Sequence, residues 1–425
     1  MVVFRGCWVV IGALVTIGLL VLGTGAASAA RVPVDRAVSP SFELKSSVKT
    51  VKVGKNPNDA TFDPSNGDVY VTNSNSSSVS VIDGSTNKVT KTITVGADPI
   101  EAAYDSTNQE VYIVSQTSGT VTVISNSNSV VTTITVVADP IIGLVEPDGN
   151  LYVTCHGASV AADGDVAVIN ESTNKVTEVS VGEDAGVPNY DPANGDVYVV
   201  NILSSTLSAI SSALKVTTIS VGTDALPLSM AYSTKTKDMY VSLVDAGRID
   251  AISSKNKIVA KIADSNGPEV LTYDPANEDL YAPDSTYPTS GNLTIVGSAN
   301  SVIETIKTPA IEPLGFLDSS NGDYYLGTLS GDDLVYNSAA TPTLVTTLTV
   351  GKLPLYAEND PATGDVLILK YAGTGDDGAV LIFTSANSLV TTDTVGKGGI
   401  TLAYDSSNQD VYVANYGAAT VSVIT

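Results

Sequence analysis

Histidine, cysteine and tryptophan are almost absent from this chain: among 425 residues there are one His, two Cys and one Trp. A zinc, copper or haem site needs several convergent imidazole or thiolate ligands, and His156, Cys7 and Cys155 are too few to provide one. Cys7 precedes an N-terminal apolar run, so Cys155 is the only cysteine of the mature chain and an internal disulfide is excluded. Basic residues are also scarce, 21 Lys and Arg against 45 Asp and Glu, for a net charge of −24. No Lys/Arg-rich stretch exists to neutralise phosphates, which argues against nucleic acid and anionic membrane surfaces as partners. The acidity is read as a solvated, solubilising coat rather than a dedicated cation site.

The one long hydrophobic run, WVVIGALVTIGLLVLG at 8–23, follows Arg5 and ends in small residues, with Ala27-Ser28-Ala29 fitting an A-x-A cleavage site. This predicts a signal peptide over 1–29, and so a secreted, cell-surface or envelope protein with no membrane insertion after cleavage. An uncleaved N-terminal anchor is the alternative, because the run is long for a signal and short for a span. Residues 30–43 carry Pro and charge without periodicity and read as a linker.

What the chain has in quantity is strand and turn material. Tyr (19) far outnumbers Phe (5), and Thr, Ser, Val, Asn and Gly crowd the sequence. A phrase recurs as DVYVTN at 68–73, EVYIVS at 110–115, DVYVVN at 196–201 and DVYVAN at 410–415. Aligned on it, Tyr70, Tyr112, Tyr152, Tyr198, Tyr240, Tyr281, Tyr325, Leu367 and Tyr412 fall in register, 40 to 46 residues apart. A period near 40 with no helical stretch beyond the leader belongs to four-stranded propeller blades.

The first unit parses as strand A from Pro57 (NDATF), a turn DPSNGD, strand B (DVYVTN), strand C (SVSVI), a turn GSTNK and strand D (VTKTITVG). Strands B and C lack clean alternation because a blade is covered by neighbours on both faces. The phrases YVTN at 70–73, VSVID at 79–83 and the V-G-x-x-P link of Val95, Gly96 and Pro99 resemble the YVTN family of β-propeller repeats, found in surface-layer and other envelope proteins. The resemblance covers 44–425, with drift in the later units (DMYVSL, DLYAPD, DYYLGT, DVLILK). It implies an all-β, single closed propeller and says little about activity.

The ninth unit stops after strand C, whereas 44–54 (LKSSVKTVKVG) read as an orphan strand D. Pairing the two completes the last blade and removes the open edges. Nine blades is the direct count; eight is the fallback if a drifted unit is not a full blade.

Three insertions follow strand B: CHGASVAADGD at 155–165, APDSTYPTSGN at 282–292 and KYAGTGDDGA at 370–379. B-to-C loops and D-to-A links share one propeller face, so all three decorate one rim, the expected binding face for a protein or glycan partner. Its candidate residues are Cys155, His156, Asp163, Asp165, Asp284, Tyr287, Tyr371, Asp376 and Asp377. Cys155 stands where the first unit has Asn73 and reads as a half-buried thiol beside an exposed imidazole, since strand neighbours point to opposite faces. The DPSNGD-type turns read as hairpin turns, because their acids sit five apart rather than at the alternate positions of a calcium loop.

An enzyme would have to rely on carboxylates. By architecture alone the chain is similar to lactonase-type propellers, which hold a divalent ion at the axial mouth. Asp59, Glu101, Glu269 and Glu358 enter strand A near that position, although scattered over the blades, so no cofactor is expected and calcium or another divalent cation is the weaker alternative. Sequons at Asn75, Asn170 and Asn292 mark glycosylation candidates, all expected to be exposed. The sequence therefore points to a non-catalytic surface interaction module, with a metal-dependent hydrolase or a structural surface-layer component as alternatives.

Overall fold

The computed structural model describes residues 47–425 except 138, 147, 157–162, 265, 287–288, 319, 340, 352 and 361–362; the leader and linker lie outside the described residues. Nine four-stranded antiparallel sheets form a ring, and a single 3-10 turn at Ser74–Ser76 is the only helical element among the described residues. The blades occupy 57–94, 99–135, 140–183, 185–220, 227–263, 272–308, 311–349, 354–397 and 399–424. In the first, strand A is Pro57–Asp63, B is Asp68–Asn73, C is Ser78–Asp83 and D is Lys88–Thr94. The ninth lacks its own strand D. Val48–Lys52 supplies it, pairing antiparallel with Thr420–Ile424 from Val48 opposite Ile424 to Lys52 opposite Thr420. Closure by the N-terminal strand follows the expectation, and nine blades stand rather than eight.

Strand A is innermost, and successive A strands touch around the ring. B and C are buried on both sides, with Val69, Tyr70, Val71, Val79, Val81 and Ile82 fully inaccessible. The apolar clusters span junctions rather than single blades. Tyr112, Val114, Val121 and Val123 of the second blade pack with Leu151, Val153, Ala167 and Ile169 of the third. Val69 and Val71 of the first blade pack with Tyr412, Val421 and Val423 of the ninth, so the closing junction has the same apolar core as the others. Each such Val or Ile contributes roughly 1.5–3 kcal/mol on burial. Strand D is the outer edge and mostly exposed, which is why its sequence alternates Thr and Lys with apolar residues.

Polar latches lock the register between blades. Tyr70 Oη donates to Asn128 Oδ1 at 2.5 Å, and Asn128 Nδ2 donates to Asp68 Oδ2 at 2.7 Å, joining strand B of one blade to the C-to-D turn of the next. Tyr325, Asn387 and Asp323 repeat the latch, as do Tyr412, Asn87 and Asp410 across the closing junction. Tyr198 with Asn256, and Tyr240 with Asn300 at 2.5 Å, complete five of these pairs. All five asparagines hold left-handed φ between 55° and 61°, a conformation Asn tolerates better than most residues.

Candidate functional site

The insertion-bearing face is built from the links and the B-to-C loops together. In blade after blade, the first residue beyond strand B donates its amide to a link carbonyl: Ser74 to Asn56, Gln116 to Asp98, His156 to Asp139, Ile202 to Asp184 and Tyr371 to Leu353, all at 2.9–3.1 Å. Those five acceptors all lie at positive φ, 51° to 62°. The glycine of the V-G-x-x-P link has a steric cause. A Cβ on Gly54 would lie 2.6 Å from Asn73 Cγ, and one on Gly396 would lie 2.8 Å from Asn415 Cγ. That asparagine, the last residue of the YVTN phrase, is buried and gives its amide to strand C hydroxyls: Asn73 to Ser80, Asn201 to Ser208 and Asn415 to Ser422, at 2.9–3.0 Å. The repeated motif is therefore a scaffold device on this face.

Cys155 takes the place of that asparagine and is fully buried, not half-buried, packing into the junction of the second and third blades. Burial pushes its thiol well above the ordinary range, with Glu178 adding to the shift, so it stays a protonated core thiol. His156 is not freely exposed. Its Nδ1 lies 3.4 Å from Asp139 Oδ2 and its Nε2 3.3 Å from Asp184 Oδ1, which ties the insertion to the links on both sides. Asp163 is exposed; Asp165 is half-buried and accepts a hydrogen bond from Ser180 at 2.8 Å.

The second insertion is a hairpin extension rather than a loop: strands B and C run on to 279–286 and 290–297, with Asp284 opposite Asn292 and Thr286 opposite Ser290. This buries Asp284 completely, contrary to its expected place on the surface. Asn266 and Asn292 each donate to its carboxylate at 3.1 Å. Burial pushes its carboxyl up to about 6, opposed by the Asn266 hydrogen bond and assisted by Asp264. Tyr287 lies outside the described residues. In the third insertion Tyr371 is half-buried, while Asp376 and Asp377 are exposed. Of the three sequons, Asn75 alone is exposed. Asn170 and Asn292 are half-buried, Asn170 Oδ1 capping its own turn through Ser172 and Thr173 and Asn292 bound to Asp284, a departure from the exposure expected of them.

Around the central channel the carboxylates are dispersed. Asp59 Oδ2 accepts the Ala102 amide at 2.9 Å, and Glu101 Oε2 accepts the Gly143 amide at 2.7 Å, so each fastens its blade to the next. Ser229 does the same for Leu271. Burial raises Asp59 to about 7; burial, then the charge of Asp59, raises Glu101 well above the carboxylate range. Glu358 is raised to about 7 by burial and keeps Oε2 buried without a partner. Glu269 is half-buried at the entry of the sixth blade, where its amide donates to the Pro283 carbonyl. Among the described residues no group of three or more His, Cys, Asp or Glu is arranged to hold a metal ion.

The DPSNGD-type turns lie on the opposite face and are hairpin turns. Asp63 Oδ1 accepts the Ser65 amide, its carbonyl accepts the Gly67 amide, and Gly67 sits at φ 78°. What sequence reasoning missed is the latch on this same face. Its signal was present: an Asn recurs 58 to 62 residues after the motif tyrosine, beside the turn closing the next unit.

No protein-family model matches the sequence, and no curated protein does. Among solved structures, a dihydro-heme d1 dehydrogenase, NirN, is similar over 85% of this chain and 80% of its own at 14% identity, TM-score 0.62. A eukaryotic initiation factor is similar over 81% of this chain and 89% of its own at 11% identity, TM-score 0.60. Virginiamycin B lyase from Staphylococcus aureus covers 67% and 96% at 13% identity, TM-score 0.45. The first two likenesses show the propeller fold and nothing of function.

Proposed function

We propose that the chain is an exported, non-catalytic propeller of the YVTN type that acts as a protein- or glycan-binding module at the cell surface or envelope. What supports this reading is that the three insertions all follow strand B, the end of the blade that carries the hydrogen bonds to the links. The family reading rests on the motif residues, whose scaffold roles this structure explains. The YVTN tyrosine and asparagine both have partners within or between blades, so the motif describes how blades assemble.

A hydrolase reading finds less support. Asp59 and Glu101 are occupied by backbone amides, and Cys155 and His156 do not form a nucleophile and base: the thiol is buried in the core while the imidazole lies between two carboxylates.

Replacing 285–290 by the short loop of the first blade, 74–77, leaves the buried Asp284 and its partner Asn292 in place and tests the proposal. Binding of the purified protein to envelope preparations from its source should fall at least tenfold with the melting temperature within a few degrees. Undiminished binding would overturn the assignment of the face. Melting in the presence of EDTA separates the alternatives, an unchanged transition being expected and a large drop indicating a structural or catalytic divalent ion.

A further inference from the structure

The junction of the second and third blades breaks the latch on the face opposite the insertions. Tyr112 makes no bond to the turn asparagine of the next blade. It takes a hydrogen bond from Asn108 at 2.8 Å and approaches Glu110 Oε2 at 3.4 Å instead, while Asn174, in the left-handed turn position, has Oδ1 buried and unpartnered. The turn there reads Asn-Glu-Ser-Thr-Asn, and Glu171 occupies the place of Gly84 in the first blade. At four of the five latched turns the residue in that place gives its backbone to the preceding blade: the carbonyls of Gly84, Asn126, Ser254 and Ser385 accept from Asn408, Asn66, Asn194 and Asn321. A Cβ on Gly84 would meet Asp405 Oδ2, the counterpart of Asp105 at the present junction. The chain therefore places a second carboxylate against a fully buried aspartate where its other turns avoid a long side chain.

An open cavity of about 300 Å³ results, lined among others by Thr107, Asn108, Asp148 and Glu171. Glu171 is 8% exposed; it reaches the Asp105 carboxyl, with which it bonds only by sharing a proton, and its Oε1 is buried with no N–H or hydroxyl donor. Its Oε2 receives only a long bond from Thr107 Oγ1 at 3.5 Å, because that hydroxyl lies closer to Asp105, at 2.7 Å. Asp148 is exposed at the rim, and among the described residues no Lys, Arg or His lines the cavity. We propose that this cavity binds an organic cation, an alkylammonium group held by Glu171 and Asp148 with the Asn108 side chain as a further acceptor. Among the described residues no three His, Cys, Asp or Glu are arranged to hold a metal ion, and the volume is about ten times the roughly 30 Å³ share of one water. An ammonium needs only two or three acceptors and one unpaired carboxylate to offset its desolvation. The source is either a free primary amine or a lysine side chain of another protein.

Glu171 faces Asp105 and Asp148, with Glu110 and Tyr112 nearby on the second blade. Burial first, then Asp105, pushes its carboxyl up to about 8, so bound cation replaces a proton and binding strengthens as pH rises through that value. The test is calorimetric titration of the intact protein with n-butylammonium chloride in HEPES buffer, beside a capped Gly-Lys-Gly peptide and calcium chloride. Saturable binding of n-butylammonium that weakens at least tenfold in Glu171→Gln, weakens also in the rim variant Asp148→Asn, and tightens from pH 6.5 to 8.5 is the expected result. A peptide that binds at least tenfold more tightly than the free amine identifies a protein lysine as the source; equal affinity identifies a small amine. No saturable amine binding, equal binding by Glu171→Gln, a flat pH profile, or binding of calcium alone would overturn the proposal.

Discussion

Asn87 at the closing junction allows the latch to be weighed quantitatively. Its Oδ1 accepts from Tyr412 at 2.6 Å, its Nδ2 donates to Asp410 at 2.8 Å, and its φ is 55°. In Asn87→Ala the fully buried Tyr412 hydroxyl loses its short bond, the Gly84 carbonyl at 3.5 Å being a poor substitute. An orphaned buried hydroxyl costs about 1–3 kcal/mol, and the lost bond to a carboxylate adds about 1. Alanine in the left-handed region adds about 1 more, for a total of roughly 3–5 kcal/mol. Asn87→Gly removes the same bonds without the backbone strain and should cost about 1 kcal/mol less. Tyr412→Phe removes the donor but leaves Asn87, which is partly exposed, able to bond to water, so about 1 kcal/mol is expected. Urea denaturation followed by far-UV circular dichroism measures all three. Asn87→Ala within 1 kcal/mol of the parent would refute the view that these bonds hold the ring closed.

The buried carboxylates set the pH dependence. Burial raises Asp59, Glu358 and Asp333 to about 7 and Asp279 to about 6, so the folded state binds more protons than the unfolded one from about pH 4 to pH 7. Stability should then fall as pH rises through that window, and the melting temperature should be higher at pH 5 than at pH 8; the opposite order would contradict the burial of these groups. Gly396→Ala should cost about 1–3 kcal/mol by overpacking against Asn415, and Asn415→Ala should cost less in that background than alone. The Cys155 thiol should resist a disulfide reagent at pH 8 in the native protein and react at once in urea, whereas rapid native reaction would place it on the surface.

Much of this fold was legible because its determinants are local. The tyrosine register, the turn composition and the surplus strand at the N-terminus lead to nine closed blades without any knowledge of contacts. The site residues were less legible where their environment is set across junctions. Asp284 looked like an exposed insertion residue, but the insertion extends two paired strands and carries the aspartate inside. His156 has as partners Asp139 and Asp184, 17 residues before it and 28 after it, in two different links. Tyr70 entered only as a register position, and its hydroxyl partner lies 58 residues away in the next blade. Period and polarity reveal which residues are buried, while the hydrogen-bond partner of a buried polar group depends on which blade comes next.

Hydrogen exchange of the propeller mixed with an envelope preparation from its source tests the account most directly. New protection is predicted in peptides covering 155–165, 282–292 and 370–379, with none at the hairpin turns such as 63–68. Protection confined to those turns or to the channel strands, or no protection at all, would contradict the insertion-bearing face as the binding surface.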